Sequence, residues 1–441
     1  MEVVVQLHNF KNIFFVSELR KKLAFTFGMF AVFRFGAHIS VPGIDVVALY
    51  GRFDSSFVGS LLSYLDLFSG GALKLFSIFS LGVSPYISAS IMMQLLTIMV
   101  PTLEALSKEG EYGRSIINQY TRYLTFGIGL VQSIGIAAWM EHQPGLVSNP
   151  GLAFKLTTVL ILSVGSLFVM WLGEQINAHG LGNGSSMIIF AGIVTALPAA
   201  IIKLWENYQM DQIGIFLIAL LVVILIGVIM CIIFLERGER KIPVQYAKRV
   251  VGHKVYGGQS SYIPLKINPA GVVPVIFSQS ILGMPVAVAG LFAYRWPAVS
   301  AMITDYFGRE SALYNVLNAG LIVFFTYFYT AIIFNPVELA ENIRKSGGFI
   351  PGIRPGKKTA EFFDYLLTRI GFPGAMYLAG LAILPSIIRH FINFPVFFSG
   401  VSMLIVVGVA LDTSAQIESH LIERRYEGFL ASGRLKGRYV R

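Results

Sequence analysis

Few residues in this chain have the types and spacing that chemistry needs. Gly356-Lys357 is the nearest approach to a phosphate-cradling loop, yet 351–359 lacks the upstream glycine and a Ser or Thr directly after the lysine. Nucleotide hydrolysis by the chain itself is not expected. No His-Glu-x-x-His occurs, and the 7 histidines sit in loops or at the ends of apolar stretches, so a metal-dependent protease is not expected either. Gly82-Val83-Ser84 suggests a serine nucleophile, but no later apolar stretch carries a deep histidine to act as its base. Arg34 and Asp412 lie inside apolar stretches near their ends, where snorkelling or helix capping accounts for them. The expectation is a protein with no catalytic residues, no metal and no cofactor.

What must position any site is a series of long apolar stretches. The 441 residues are 55% hydrophobic and 13% charged, where a soluble protein carries about 25% charge. Ten candidate spans fall at 23–39, 76–100, 123–140, 152–172, 185–204, 213–235, 267–292, 313–334, 370–388 and 397–416, each near the 17–25 residues that a crossing helix requires. Sorting the loops alternately places about 26 of the 34 Lys and Arg residues on one side, which the positive-inside rule makes the cytoplasm. Both termini fall on that side. Arg20-Lys21-Lys22 reads as the cytoplasmic flank of a retained first helix. The single cysteine, Cys231, forms no intramolecular disulfide.

The loops are unequal. Those at 236–266 and 335–369 run to about thirty residues, long for a connection between packed helices. The first holds Arg240, Lys241, Lys248 and Arg249, and its 241–246 and 261–266 segments flank a glycine-containing turn, which predicts a hairpin-like projection. The second holds Arg354, Lys357 and Lys358. Pro351, Gly352, Pro355 and Gly356 stiffen it so that Arg354 is presented at one point. These cations either set topology alone or dock a polyanionic partner such as RNA phosphates or an acidic protein surface.

Between the first two spans, 57–68 is apolar enough to enter a membrane but too short to cross it. Ser69-Gly70-Gly71 breaks it from the span that follows. It is either a re-entrant element or a helix lying on the outer surface. Pro269, Pro274 and Pro285 predict a seventh span that bends. Small residues from Gly182 to Gly192 predict close packing of the fifth.

Almost no ionisable residue lies near the middle of any span, so cargo is expected to be handled by shape and apolar contact. An ion-coupled small-solute transporter, the alternative, needs buried coupling groups. An intramembrane protease needs a nucleophile with its base.

Six strings then identify a family. Phe349-Ile350-Pro351-Gly352-Ile353-Arg354-Pro355-Gly356 resembles the eighth-to-ninth span loop of SecY, the SecY/Sec61-alpha family of protein-conducting channels. Val41-Pro42-Gly43-Ile44-Asp45, Leu67-Phe68-Ser69-Gly70-Gly71-Ala72 and Pro85-Tyr86-Ile87-Ser88-Ala89-Ser90-Ile91 are similar to it as well. So are Trp171-Leu172-Gly173-Glu174-Gln175 and Gln245-Tyr246-Ala247-Lys248-Arg249. The likeness is collinear from about residue 18 to Leu435-Lys436-Gly437.

The resemblance implies an all-α polytopic membrane protein with ten spans in two pseudo-symmetric five-helix halves around a central pore. Residues 1–22 would be a cytoplasmic segment, 23–204 the N-terminal half with a plug near 57–75, 205–416 the C-terminal half, and 417–441 a cytoplasmic tail. The pore ring would be Val83, Ile87, Ser185, Ile189, Ile276 and Ile405, although Ser185 stands where the family pattern is aliphatic. Plug and hinge would comprise Leu61, Leu62, Leu65, Leu67, Phe68, Gly70 and Gly71. A lateral gate would form from the second, third, seventh and eighth spans, with Gln94 on its inner face.

The implied function is to pass unfolded preproteins across the bacterial cytoplasmic (inner) membrane and to release apolar segments into it. Implied partners are SecE-like and SecG-like membrane subunits, a SecA-type motor ATPase, the translating ribosome, signal sequences and the lipid bilayer. The resemblance also admits oligomers of the heterotrimer.

Overall fold

The apolar sequence folds almost entirely into helices, as a computed structural model of the chain reveals. The structure describes residues 16–46, 48–49, 66, 69–141, 145–211, 214–246, 249–251, 254–256, 260–279, 281–282, 302–303, 306, 311–392 and 400–432. Helix α1 is Ser17–Gly36, α2 Ser84–Met99, α3 Pro101–Lys108, α4 Glu111–Glu141, α5 Leu152–His179, α6 Gly184–Gln209 and α7 Ile215–Glu236. Four strands follow: β1 Glu239–Tyr246, β2 Arg249–Val251, β3 Lys254–Tyr256 and β4 Ser260–Lys266. Then come α8 Ala312–Ile333, α9 Pro336–Lys345, β5 Gly348–Phe349, α10 Lys357–Ile392 and α11 Gly400–Ser432.

Among the described residues, seven helices are long and apolar enough to cross a membrane, or eight if α2 and α3 form one broken span. Helix α1 covers 23–36 of the first expected span, but its opening turns carry Glu18, Arg20, Lys21 and Lys22 and it is not among those seven. The seventh expected span is described only in part, with 273–279 helical and 283–292 outside the described residues. Helix α7 shows what lipid solvation permits. Its residues are apolar all round and only Ile232 is buried, a surface that water would not tolerate.

The second expected span needs correction. Residues 70–83 are turns, and the helix begins only at Ser84. Gly70, Gly71, Phe76 and Gly82 all have positive φ, which no right-handed helix accommodates. The irregular backbone finds partners inside the protein: Val41 N–H donates to the Phe76 carbonyl at 2.8 Å, and Ile78 N–H to that of Ile39 at 2.9 Å. Gly165 of α5 lets this segment lie close, because a Cβ there would stand 1.9 Å from the Ile78 carbonyl oxygen. At the other end Pro101 closes α2. Val100 is extended, as a residue before proline tends to be, and α3 leaves at 100° to α2.

The chain divides into two compact units, one formed by residues up to Ile201 and from Val409 onward, the other by Ile202–Gly408. In the first, α4 packs on α2 and α5 around Leu73, Phe76, Leu81, Met140, Phe154 and Leu162. In the second, α8 packs against α10, and the long basic loops build a core of their own.

The hairpin expected from 236–266 is present. β1 and β4 pair antiparallel from Glu239–Lys266 to Gln245–Ser260, and β2 pairs with β3 beyond them. The 335–369 segment is less of a loop than its sequence suggests. Asn335 caps α9 by accepting from the N–H groups of Val337 and Glu338, with Pro336 in the first turn. β5 then joins β1, giving the order β4-β1-β5. Ile242, Val244, Leu265, Ile343, Ile350 and Phe363 fill the space behind this sheet.

Candidate functional site: apolar ring positions and a basic docking surface

The ring candidates of the first unit sit where irregular backbone turns into helix. Val83 is the residue before α2 and only 1% exposed, and Ile87 follows one turn later, partly buried. Ser185 and Ile189 occupy the first turns of α6, with Ile189 buried. Val83 and Ser185 line one small cleft together with Tyr86, Val169, Met170, Gly173, Glu174 and Asn177. Ile87 and Ile189 are not among its walls. The Ser185 hydroxyl is engaged rather than open, donating to Asn183 Oδ1 at 2.7 Å. In the second unit, Ile276 lies partly buried on the helical 273–279 segment, and Ile405 is buried on α11.

Close approach explains the small residues at the start of α6. A Cβ on Gly184 would stand 1.9 Å from the Gly173 carbonyl oxygen, and one on Gly192 would stand 2.9 Å from the Gly70 Cα. Gly70 and Gly71, the hinge candidates, have φ of +66° and +88°, in the region that favours glycine. Leu61, Leu62, Leu65, Leu67 and Phe68 lie outside the described residues. Asp66 is described and buried. It accepts from the N–H groups of Leu73 at 3.0 Å and Lys74 at 3.4 Å and from the Ser69 hydroxyl at 3.2 Å.

Arg34 differs from the expectation of snorkelling or capping. Its Nη1 donates to the Gly70 carbonyl at 2.9 Å, so the guanidinium reaches along α1 to a backbone acceptor that the turn at 70–71 leaves available. Gln94, the gate candidate, is exposed on α2. Sequence reasoning missed a buried pair within the second unit: the Ser278 hydroxyl donates to Asn318 Oδ1 at 2.7 Å, joining the 273–279 segment to α8. A polar residue inside each apolar stretch was the available signal.

The basic candidates gather on the sheet and the turn after it. Arg240 and Lys241 lie on β1, where Lys241 stands 3.3 Å from Glu239 and 4.9 Å over the Tyr262 ring. Lys248 lies outside the described residues, and only the backbone of Arg249 is described, at the start of β2. Arg354 is exposed in the turn following β5, and among the described residues it has no carboxylate partner. The turn is fixed from both sides. Ile353 N–H donates to the Ile350 carbonyl at 3.1 Å, and the Thr359 hydroxyl to that of Arg354 at 3.0 Å. Lys357 and Lys358 open α10. Lys358 is bound to Glu361 at 2.8 Å, which holds the Glu361 carboxyl below its usual range by hydrogen bond first and charge second, and raises the Lys358 ammonium.

These features define a polytopic helical membrane protein with a small basic sheet between its apolar helices. The chain belongs to the SecY family, whose model matches residues 77–414. It is 46% identical to the protein translocase subunit SecY of Aquifex aeolicus, covering 95% of this chain and 98% of that one. Identity to the same-named subunit of Escherichia coli K12 is 44%, with 96% of each covered. Among solved structures, the fold matches a protein-conducting channel with a TM-score of 0.60 at 16% identity, over 92% of this chain and 93% of the other. It also matches Sec61 from a canine ribosome–channel complex of the endoplasmic reticulum, TM-score 0.56 at 14% identity, over 92% and 93%.

Proposed function

We propose that this chain is the central subunit of a protein-conducting channel, passing unfolded preproteins across the bacterial inner membrane and releasing apolar segments sideways into it. One observation carries this reading: identity of 46% and 44% to translocase subunits runs almost end to end, over 95% and 96% of the chain. The family assignment displaces the solute-transporter alternative. A conduit for arbitrary sequences must not hold its cargo, which suits spans without central charge. An apolar collar excludes water and ions when closed and offers a sliding chain no hydrogen bonds. In this reading Val83, Ile87, Ser185, Ile189, Ile276 and Ile405 line the collar, and Gln94 faces the lateral gate.

Energy comes from outside the chain. Arg354, with Arg240, Lys241, Lys357 and the other loop cations, is the docking surface for a motor ATPase or a ribosome, and both termini share its side of the membrane. The ribosome–channel complex among the fold's neighbours supports this partner class. SecE-like and SecG-like subunits complete the heterotrimer.

Reconstitution tests the proposal. The chain, purified with its membrane subunits into vesicles, is given motor ATPase, ATP and an unfolded preprotein. Protease-protected preprotein that depends on the motor is expected. Uptake of a small solute by the chain alone, with no protected preprotein, would overturn it.

A further inference from the structure

The connection entering α6 has a polar anchorage that the family reading does not use. Three of its backbone N–H groups, two in the bend between α5 and α6 and one at the first residue of α6, where a helix offers no partner, are met by side chains from three other helices. Leu181 N–H donates to Thr26 Oγ1 of α1 at 3.1 Å, Gly182 N–H to Gln416 Oε1 of α11 at 2.8 Å, and Gly184 N–H to Asn177 Oδ1 of α5 at 2.7 Å. Thr26 in turn donates to the Lys22 carbonyl at 2.9 Å, which directs its oxygen lone pairs toward the incoming N–H. One turn along α11 from Gln416, the Thr413 hydroxyl reaches Met187 Sδ at 3.6 Å.

Packing removes the slack that would let this connection shift. Gly182 has φ of +80°, and a Cβ there would meet Met187 Cγ at 3.0 Å; one on Gly180 would meet Thr26 Oγ1 at 2.7 Å. Leu181 is buried with Leu19 against Leu23, Ile417 and Leu421, so α1 and α11 grip the connection by apolar contact as well. Ser185 follows it directly and Ile189 stands one turn further on, so a displacement of the connection is a displacement of both side chains.

We propose that Gln416 and Thr26 are positioning residues for the pore collar, setting how far Ser185 and Ile189 project by holding the amides of Gly182 and Leu181. The proposal rests on the reading above that Ser185 and Ile189 line the constriction. Neither residue touches the translocating chain. Each acts through the connection it holds, and so determines how strictly the closed channel excludes ions and rejects a poor signal sequence.

The test uses the full heterotrimer with Thr26→Val and Gln416→Leu, which keep size but remove the acceptors, beside Thr26→Ser and Gln416→Glu, which keep them. Resting single-channel conductance, export of a preprotein with a defective signal, and melting temperature in detergent are all measured. Expected is a rise on the order of ten-fold in conductance events and defective-signal export for the Thr26→Val/Gln416→Leu pair, as two hydrogen bonds are lost. Thr26→Ser and Gln416→Glu should match the parent. A lowered melting temperature with unchanged conductance and stringency would reduce the two residues to structural anchors and overturn the proposal. Ile189→Asn separates the two levels of the argument. If it changes conductance while the acceptor-free pair does not, this proposal fails alone; if neither changes anything, the collar assignment fails with it.

Discussion

Tyr246 pairs with Gly348, and Gln245 with Phe349, so the two long basic segments are joined in one sheet and are not two separate loops. The hairpin that carries Arg240 and Lys241 therefore moves with the turn that presents Arg354. A partner that grips either one loads both, and through β1 and β4 it loads the ends of α7 and the 267–279 segment.

Gly348 is where this joint is tightest. A Cβ there would lie 3.0 Å from both Tyr246 Cε1 and Val244 Cγ1. Gly348→Val should cost about 1–3 kcal/mol by overpacking and loosen β5 from β1. Hydrogen exchange at 245–246 and 348–349 should accelerate, and binding of a motor or ribosome should weaken. Resting conductance should stay at the parent level.

Arg354→Glu should abolish motor- or ribosome-driven translocation in protein that still inserts and folds, because a reversed charge at the proposed docking point would repel an anionic partner surface. At least ten-fold weaker binding, about 1.4 kcal/mol, is expected in a sedimentation or interferometry assay. Lys358→Gln should do much less, since Lys358 is already committed to Glu361.

The same pair gives a pH signature. Its bond to Lys358 holds Glu361 below the ordinary 4.5, so the pair's contribution is present at neutral pH and is lost as pH falls through that lowered value. Carboxyl NMR of Glu361 should show a midpoint under 4.5, and Lys358→Gln should return it to the ordinary range.

For the collar, Ser185→Ile should tighten the resting seal, and Asn at Ile87, Ile189, Ile276 or Ile405 should loosen it. Apolar surface in a narrow ring disfavours water by about 25 cal/mol per Å², whereas a polar group offers water a partner. The gain at Ser185 should be modest, because its hydroxyl is already turned to Asn183. Single-channel recording paired with export of a defective-signal preprotein reads both effects. Five silent variants would remove these residues from the constriction.

Arg34→Leu should free the Gly70 carbonyl that it now engages. Losing a hydrogen bond from a charged donor costs about 1.5–3 kcal/mol, and exchange protection of the amides at 70–74 should fall. Arg34→Lys should recover part of it, since one ammonium donor can still reach the oxygen.

Hydropathy alone was enough to find α4 to α8, though not their full lengths, because a run of about twenty apolar residues has few alternatives to a membrane helix. Turn chemistry made the hairpin and the Arg354 turn legible too, since Pro and Gly restrict the backbone locally whatever surrounds them. Hydropathy misjudged 76–83. Those residues are as apolar as a helix, but positive φ at Phe76 and Gly82 and bonds to Val41 and Ile39 hold them in turns. The joining of β5 to β1, the reach of Arg34 to Gly70, and the grip of Thr26 and Gln416 on the entry to α6 were likewise invisible. Each joins residues far apart in the chain, and pattern reading sees only neighbours. Local physical chemistry decided which segments are helices and where the chain turns; only the packed structure decided which distant side chain satisfies each backbone group that those turns leave unpaired.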